Sequence, residues 1–596
     1  MGAHNSQNQP WSQTGDSPRY DGGVSSPTPY LFVRTADDLS LVVTAVAESR
    51  LIGLDCETTG LDSRVDRLRL ITLDRETVDG GRFTYLVDVL AVDPSPLWPP
   101  LAEAEIVLHN GAFDLAFLAR LGFEPDKVHD TLLMSQVLYA SARIRGTAPT
   151  RHGLKDCCQR QLGVELSKDL RQSDWSGPLS PDQLAYAAAD AAVLVPLCRS
   201  LTDKLKAADL ARIAALESAA LPCIVWLARS GVPFDRDRWR ELGRAAKVEA
   251  DRLTVELNAI APARPDTLFA EPWNWDSPEQ VQRALELAGC PVESTADGVL
   301  AALDHPLAHL LRDHRDARKR ETTYGEAWLS HVAADSRVYA HWSQLGANSG
   351  RMACGSPNMQ NLPRGEYRKC VAAPPGRVLV KADYSQIELR IAAKVSGDKA
   401  LLDAYTRGDD LHTLTARQVL KVAQVTKQHR QLAKAINFGL LYGMGAKSFR
   451  SYARTNYGVD MTEAEAQAYR EAFFNAYPGL RRWHRSIRDG ATDTRTLAGR
   501  RVCGVEHFTE KLNLPVQGTG ADGLKAALGL LWARRHEVPA FPVLAVHDEI
   551  VVEAAEAEAG KVAEWLKRCM ADAMAPLVAP IPVEVEVKIG RSWGVD

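Results

Sequence analysis

Two acidic segments lie far apart in this 596-residue chain. Asp383-Tyr384-Ser385-Gln386-Ile387-Glu388-Leu389-Arg390 follows the apolar run Val378-Leu379-Val380. His547-Asp548-Glu549 sits between Val543-Leu544-Ala545-Val546 and Ile550-Val551-Val552. Each sets an aspartate at the end of an expected strand, where a rigid sheet can present a carboxylate. Two carboxylates meeting from such ends can hold two divalent cations, and cations roughly 3.5–4 Å apart are a common device for in-line phosphoryl transfer. If the two segments meet, the chain makes or breaks phosphodiester bonds.

A further set of acids repeats the theme. Asp55-Cys56-Glu57 closes the apolar strand Leu51–Leu54, and residues i and i+2 of a strand point the same way. Asn110-Gly111-Ala112-Phe113-Asp114 follows another strand and enters a helix, while Tyr186 and Asp190 share a helix face at i, i+4. Four acids and a tyrosine would hold two Mg²⁺ ions and orient a water for attack on a phosphodiester. Singly, a DxE or a YxxxD on an Ala-rich helix is commonplace. All three in this order, each in a fitting strand or helix setting, make a specific constellation.

The segment Arg430 to Gly443 reads as a helix in which Arg430, Lys434, Phe438 and Tyr442 form one stripe. Two cations followed by two rings suit a triphosphate followed by a base. Taken alone, the stripe is better read as an ordinary amphipathic helix with its aromatics in the core.

The elements that must position these groups divide the chain. Residues 1–28 are rich in Ser, Gln, Asn, Gly and Pro and are expected to form a disordered tail. From residue 29 to 205, strand-like runs (51–54, 68–73, 83–87, 106–108) alternate with helix-like runs (113–121, 180–201), predicting an α/β domain. Ser180 and Gln183 form a capping box for the second helix. Residues 206–340 are mostly helical in pattern. They contain the basic run 312–320, which either grips a nucleic-acid backbone or is a solvated face with internal ion pairs. The remainder mixes strands near 378–383, 543–552 and 582–588 with long helices, one over 428–442 and another capped by Thr462 and Glu465. So long a chain predicts several domains.

Composition narrows the class. Ten scattered cysteines with no CxxC pair suggest neither a zinc site nor a disulfide framework and fit a reducing cytosol. No apolar run is read as a membrane span and no export signal is read at the N-terminus. A net charge of −4 requires a nucleic-acid binder to gather its cations on one surface.

The first constellation resembles the DEDD family of 3′–5′ exonucleases, tyrosine subtype, with an RNase H-like fold. The resemblance implies Asp55, Glu57, Asp114 and Asp190 as metal ligands and Tyr186 as the residue positioning the water. The Asp383–Arg390 segment, the Arg430 helix and the His547–Glu549 turn resemble motifs A, B and C of family A DNA polymerases, the relatives of bacterial DNA polymerase I. Ser349–Met352, Pro357–Pro363, Asp410–Thr413, Tyr477–Gly479, Thr496–Arg501 and Asn513–Thr519 match as well. The resemblance spans about residues 30 to 596. It implies a right-hand polymerase after the exonuclease: 206–340 mostly thumb, 341–397 and 500–596 mostly palm, 398–499 mostly fingers.

By that resemblance Asp383, Asp548 and the Tyr384 carbonyl bind two Mg²⁺ ions, with Mn²⁺ as a substitute. Arg430, Lys434 and His412 contact phosphates, and Lys434 protonates pyrophosphate. Gln386, Phe438 and Tyr442 line the nucleotide site, and Glu388 excludes ribonucleotides. Arg351, Asn513 and Gln517 touch the minor groove of the primer–template, with Asn358, Gln360, Asn361 and His547 also on DNA. Phe438 goes with rejection of dideoxynucleotides. Thr509 stands where a basic DNA contact is expected, and too little chain precedes residue 30 for a 5′-nuclease domain. The implied partners are primer–template DNA, dNTPs and processivity or replisome proteins, for a monomer in a bacterial cytoplasm, encoded by the bacterium or a phage. An RNase D-like exonuclease with a non-polymerising C-terminal region and a DNA-binding scaffold with dead sites are the alternatives. Both leave intact acids unexplained.

Overall fold

The structure is a computed structural model that describes residues 29–77, 80–139, 150–166, 170, 172–265, 271–490 and 493–594. The expected tail, 1–28, lies outside the described residues. The chain forms two compact units. One ends at Ala208; the other runs from Asp209 onward.

The first unit is built on a six-stranded sheet. In chain order its strands are β1 Tyr30–Val33, β2 Leu51–Thr58, β3 Leu68–Glu76, β4 Arg82–Asp88, β5 Glu105–Leu108 and β6 Val128–Asp130. Their order across the sheet is β1-β4-β3-β2-β5-β6, with β3 antiparallel to both neighbours and the other pairs parallel. The first seven residues of β3 are buried, as expected of a strand covered on both faces. Helix Pro181–Ala192 lies across β2, β3 and β4. Gly53 permits its close approach, because a Cβ there would sit 2.9 Å from the Ala191 carbonyl oxygen.

The single helix expected over 180–201 is two, Pro181–Ala192 and Leu194–Ala207, jointed at Val193. Pro196 supplies the reason: it has no N–H for the carbonyl of residue 192, and its ring crowds that carbonyl. The Ser180–Gln183 capping box is present, with the Ser180 hydroxyl accepting from the Gln183 N–H. The helix expected over 113–121 starts earlier, at Gly111, and tightens into a 3₁₀ turn at Ala119–Leu121.

The second unit centres on a four-stranded antiparallel sheet in the order Ala540–Val546, Glu549–Ala555, Arg377–Tyr384, Val585–Gly590. Helix Ala559–Val578 packs on the sheet, and helix Phe508–Ala533 packs on that helix and on Ala211–Ser230. Seven helices between Ile387 and Asp489 are inserted between the central strand and its hairpin neighbours, among them Lys427–Leu441. The Thr462–Glu465 capping box forms as expected.

One expectation changes here, and one open alternative is decided. Two stretches, Pro181–Ala207 and Ala211–Ser230, are long and apolar enough to cross a membrane by length and composition, contrary to the sequence reading. Half or more of each apolar window is buried against protein, and the second carries a fully buried, ion-paired Glu217, so both stretches are packed as core. The basic run lies on helix Pro306–Tyr324, where its arginines are engaged inside the unit. Arg312 pairs with Asp297 at 2.7 Å, Arg318 with Glu321 at 2.6 Å and Asp276 at 3.0 Å, and Arg320 with Asp316 at 2.5 Å. Arg315 donates to the Thr295 carbonyl. That is the ion-paired face, not a row of free cations.

Candidate active sites

In the first unit, β2 carries Asp55 and Glu57 while Cys56 between them is buried on the other side. Asp114 enters from the first turn of helix Gly111–Leu118, and its Oδ1 accepts from the Cys56 N–H at 3.1 Å. The start of that helix is clamped by Asp130, which accepts from the Asn110, Gly111 and Leu132 amides at 3.2, 2.8 and 2.8 Å. Asn110 takes φ +65° at the cap, a conformation asparagine tolerates better than most residues. Tyr186 and Asp190 stand on Pro181–Ala192 and are hydrogen-bonded to each other.

The electrostatics show that the four acids meet. Burial, then Asp114, Glu57 and Asp190, push Asp55 well above the usual carboxylate range. Burial, Asp190 and Asp114 push Glu57 to about 8. Burial takes Asp114 to about 7. Burial and Asp190 raise the Tyr186 hydroxyl, which therefore stays protonated and can donate.

In the second unit, Asp383 pairs in register with Glu549 on one side and Glu586 on the other. His547 and Asp548 form the two-residue turn of the hairpin, with His547 at φ +58° as such turns require. The Asp548 carbonyl accepts from the Tyr384 amide at 3.3 Å, which docks the turn beside the strand end. Burial, then Asp548 and Glu549, raise Asp383 to about 7; burial and Glu388 raise Asp548 to about 6. The Asp383 Oδ1 is buried without a hydrogen-bond partner, as are the Gln386 Oε1 and Asn513 Oδ1.

A divalent cation fits both sites, since repelling carboxylates and an orphaned oxygen are what it would stabilise. Among the described residues no group of three His, Cys, Asp or Glu side chains is arranged to hold a metal alone. Any further oxygen ligands would have to come from backbone carbonyls, water or a bound ligand.

Helix Lys427–Leu441 starts at a Thr426–His429 capping box and ends at Tyr442. Arg430, Lys434, Phe438 and Tyr442 are all half-buried along one face. Arg430 is braced by Asp410 at 2.8 Å; hydrogen bonds from Arg430 and Thr413 outweigh burial and hold Asp410 at about 2. Lys434 makes no ion pair or hydrogen bond with any described residue. The Tyr442 hydroxyl donates to Glu388, which Arg351 also holds at 2.9 Å.

His412 departs from its expected place on the phosphates. It is 2% exposed, burial lowers it to about 4, its Nδ1 meets the Asn437 amide at 3.0 Å, and its ring packs against Phe438. It is a neutral support beneath the stripe.

The other expected DNA residues are placed as follows. Asn513 and Gln517 share a face of helix Phe508–Ala533 at i, i+4. Gln360 donates to the Ala545 carbonyl at 3.0 Å, Asn358 caps the turn that carries it, and the Asn361 carbonyl accepts from Tyr324. These three brace the segment against its neighbours. Sequence reasoning assigned no role to Glu549, which is bonded to Trp593 and lies 3.6 Å from Lys381, nor to Asp410, Asn437 or Asp130. Glu549 and Asp410 stand inside recognised motifs, so their motif position was a usable signal.

The comparisons agree with this geometry. Residues 246–595 match the model of DNA polymerase family A, and residues 30–206 match a 3′-5′ exonuclease family. DNA polymerase I of Aquifex aeolicus is 33% identical over 95% of this chain and 99% of its own length. DNA polymerase I of Pseudomonas aeruginosa is 31% identical over 92% of this chain, which spans 64% of that relative. The thermostable DNA polymerase I of Thermus filiformis is 35% identical over 61% of this chain, which spans 46% of it. In fold, the chain resembles the POL domain of Pol1 from M. smegmatis, solved in complex with DNA primer-template and dNTP, with a TM-score of 0.76 at 23% identity over 95% of this chain and 99% of that one.

Proposed function

The chain belongs to DNA polymerase family A, and from that membership we propose that it extends DNA primers on a template and proofreads them 3′ to 5′. The observation that carries the reading is the meeting of Asp383 and Asp548, raised to about 7 and 6, with an orphaned Asp383 oxygen. Two bound divalent ions, Mg²⁺ with Mn²⁺ as a substitute, would activate the primer 3′-hydroxyl and neutralise the leaving pyrophosphate. Asp383, Asp548 and the Tyr384 carbonyl would hold them.

The remaining work falls to the chain's own side chains. Arg430, fixed by Asp410, and Lys434, without an ion pair among the described residues, neutralise the triphosphate of the incoming dNTP, and Lys434 would give pyrophosphate a proton. Phe438, seated on His412, packs on the sugar and base. Glu388, held by Tyr442 and Arg351, walls off the sugar 2′ position. Release of Tyr442 from Glu388 would accompany closure on a correct pair. Arg351, Asn513 and Gln517 read minor-groove acceptors that all correct pairs share. In the exonuclease, Asp55, Glu57, Asp114 and Asp190 would hold the ions, and the protonated Tyr186 would align the attacking water.

The substrates are primer–template DNA and dNTPs, and the setting is a bacterial cytoplasm, with processivity or replisome proteins as further partners of a monomer. The RNase D-like alternative leaves the family match over 246–595 without a purpose. Primer extension with four dNTPs and Mg²⁺ tests the reading. Elongation by the natural chain, lost on Asp383→Ala, is expected; shortening alone would return the RNase D-like reading.

A further inference from the structure

Behind the palm, four charged side chains are sealed together. Glu217 and Asp522 are fully buried, Lys525 is 1% exposed and Arg500 5%. Glu217 Oε1 receives Lys525 Nζ at 2.6 Å and also the Arg500 guanidinium. Arg500 Nε donates to Asp522 Oδ1 at 2.8 Å, and Thr496 Oγ1 donates to Asp522 Oδ2 at 2.6 Å. Gln344 Nε2 closes the group on Glu217 at 2.5 Å. Two cations thus meet two anions with nearly every polar atom engaged. None of the metal or nucleotide chemistry above uses them, and the Thr496–Arg501 motif has so far no role.

The cluster joins helix Ala211–Ser230, the hairpin at 494–502 and helix Phe508–Ala533. Apolar packing would hold three elements together as well or better than buried ions. A forked guanidinium adds direction, since it fixes its partners in angle as well as distance. Two glycines show what is being fixed. A Cβ on Gly350, at φ +82°, would lie 2.6 Å from Arg500 Nε. A Cβ on Gly518 would lie 2.6 Å from Thr496 Cγ2 and 3.0 Å from the Ser349 carbonyl oxygen. Gly350 precedes Arg351, and Gly518 follows Gln517. The ledge made by Arg500 and Thr496 is therefore wedged against the backbone of both.

We propose that the Glu217–Arg500–Asp522–Lys525 cluster is a positioning device for minor-groove reading: it sets Ser349–Arg351 against Gln517–Gly518 so that Arg351 and Gln517 engage one primer–template together. Arg500 is its central positioning residue. The inference rests on the minor-groove role proposed for those two residues.

The test uses primers ending in guanine or in 3-deazaguanine, which lacks the minor-groove N3 acceptor. The natural chain should extend the deaza primer about tenfold or more less efficiently in kcat/KM, the scale of one charged hydrogen bond. In Arg500→Lys, which keeps the charge and loses the fork, and in Gly518→Ala, which pries the segments apart, guanine-primer extension should fall toward the deaza rate. The deaza penalty should shrink below about twofold, while excision of single-stranded DNA by the same preparations reports an intact chain. A variant that extends slowly yet keeps the full deaza penalty overturns the proposal, because the cluster is then only scaffold. No penalty in the natural chain refutes the minor-groove roles themselves.

Discussion

In the first unit burial and neighbouring carboxylates dominate: Asp114, Glu57 and Asp190 raise Asp55, Asp190 and Asp114 raise Glu57, and Asp130 raises Asp114. In the second, Lys381 draws Asp383 down and Arg351 draws Asp548 down against the same forces. The raised values overlap, about 8 for Glu57 and 7 for Asp114 against about 7 and 6 for the palm pair. The difference suits the two substrates. Among the described residues, burial and crowded acids govern the nuclease site, a repulsion that bound divalent ions would relieve. A site that receives a triphosphate sits beside cations that share the load, and the Arg430–Lys434 face extends it.

The sharpest way to break that comparison is to remove one acid from each site. Asp383→Asn should cost several kcal/mol of transition-state stabilisation, about 10³-fold in extension, and leave excision of single-stranded DNA within about twofold. Asp114→Asn should do the reverse. If either change lowered both activities alike, the two sites would not be separate centres. Next in size is the stripe. Phe438→Tyr offers the sugar edge a hydroxyl, and dideoxynucleotide incorporation should rise by more than about tenfold, the worth of one well-placed hydrogen bond. Unchanged chain-termination ratios in primer extension would remove Phe438 from the nucleotide site.

Acidity separates the sites more gently. The folded carboxylates titrate above their unfolded value of about 4, so the metal-free folded chain holds more protons than the unfolded chain between pH 4 and 8. The stability they contribute is full below about pH 4 and is lost as pH rises through 6 to 8. A divalent ion needs the ionised forms, so its binding restores what the pH rise removes. The Mg²⁺-induced gain in melting temperature should therefore be larger at pH 8 than at pH 5.5. The Mg²⁺ needed for half-maximal excision should climb more steeply on acidification than that for extension, by a few fold. Thermal melts and Mg²⁺ titrations across this range measure both, and a pH-independent gain would contradict the crowded-acid picture.

How much of this was legible depended on distance along the chain. The two-residue period of a strand placed Asp55 and Glu57, the four-residue repeat placed Arg430 to Tyr442, and a three-residue polar break between apolar runs placed Asp548. Each is local geometry. The break at Val193 was also local, since Pro196 announces it, although the run 180–201 read as one helix. What could not be read is tertiary. Whether His412 faces a phosphate or a ring is decided by Asn437 and Phe438 on another helix. The Glu217–Arg500 pair joins residues whose partnership no spacing encodes. The basic run was ambiguous because Asp297 and Asp276, which answer Arg312 and Arg318, lie on other segments.

That basic run gives the smallest and last contrast, the same rule applied to cations. A cation already paired has little left for DNA, whereas an unpaired one, like Lys434, is available. Arg320 is partly exposed and paired with Asp316 one helical turn away, an arrangement worth no more than about 0.5 kcal/mol. Arg320→Ala should shift the melting temperature by about a degree or two, change primer–template affinity less than about twofold, and leave the salt dependence of binding flat to within one phosphate contact. Lys434→Ala, by contrast, should raise the KM for dNTP while leaving DNA affinity in place. Should Arg320→Ala instead weaken DNA binding tenfold with a shallower salt slope, the arginines must exchange Asp316 for phosphate when the duplex arrives, and pairing in the free chain would no longer separate binding cations from structural ones.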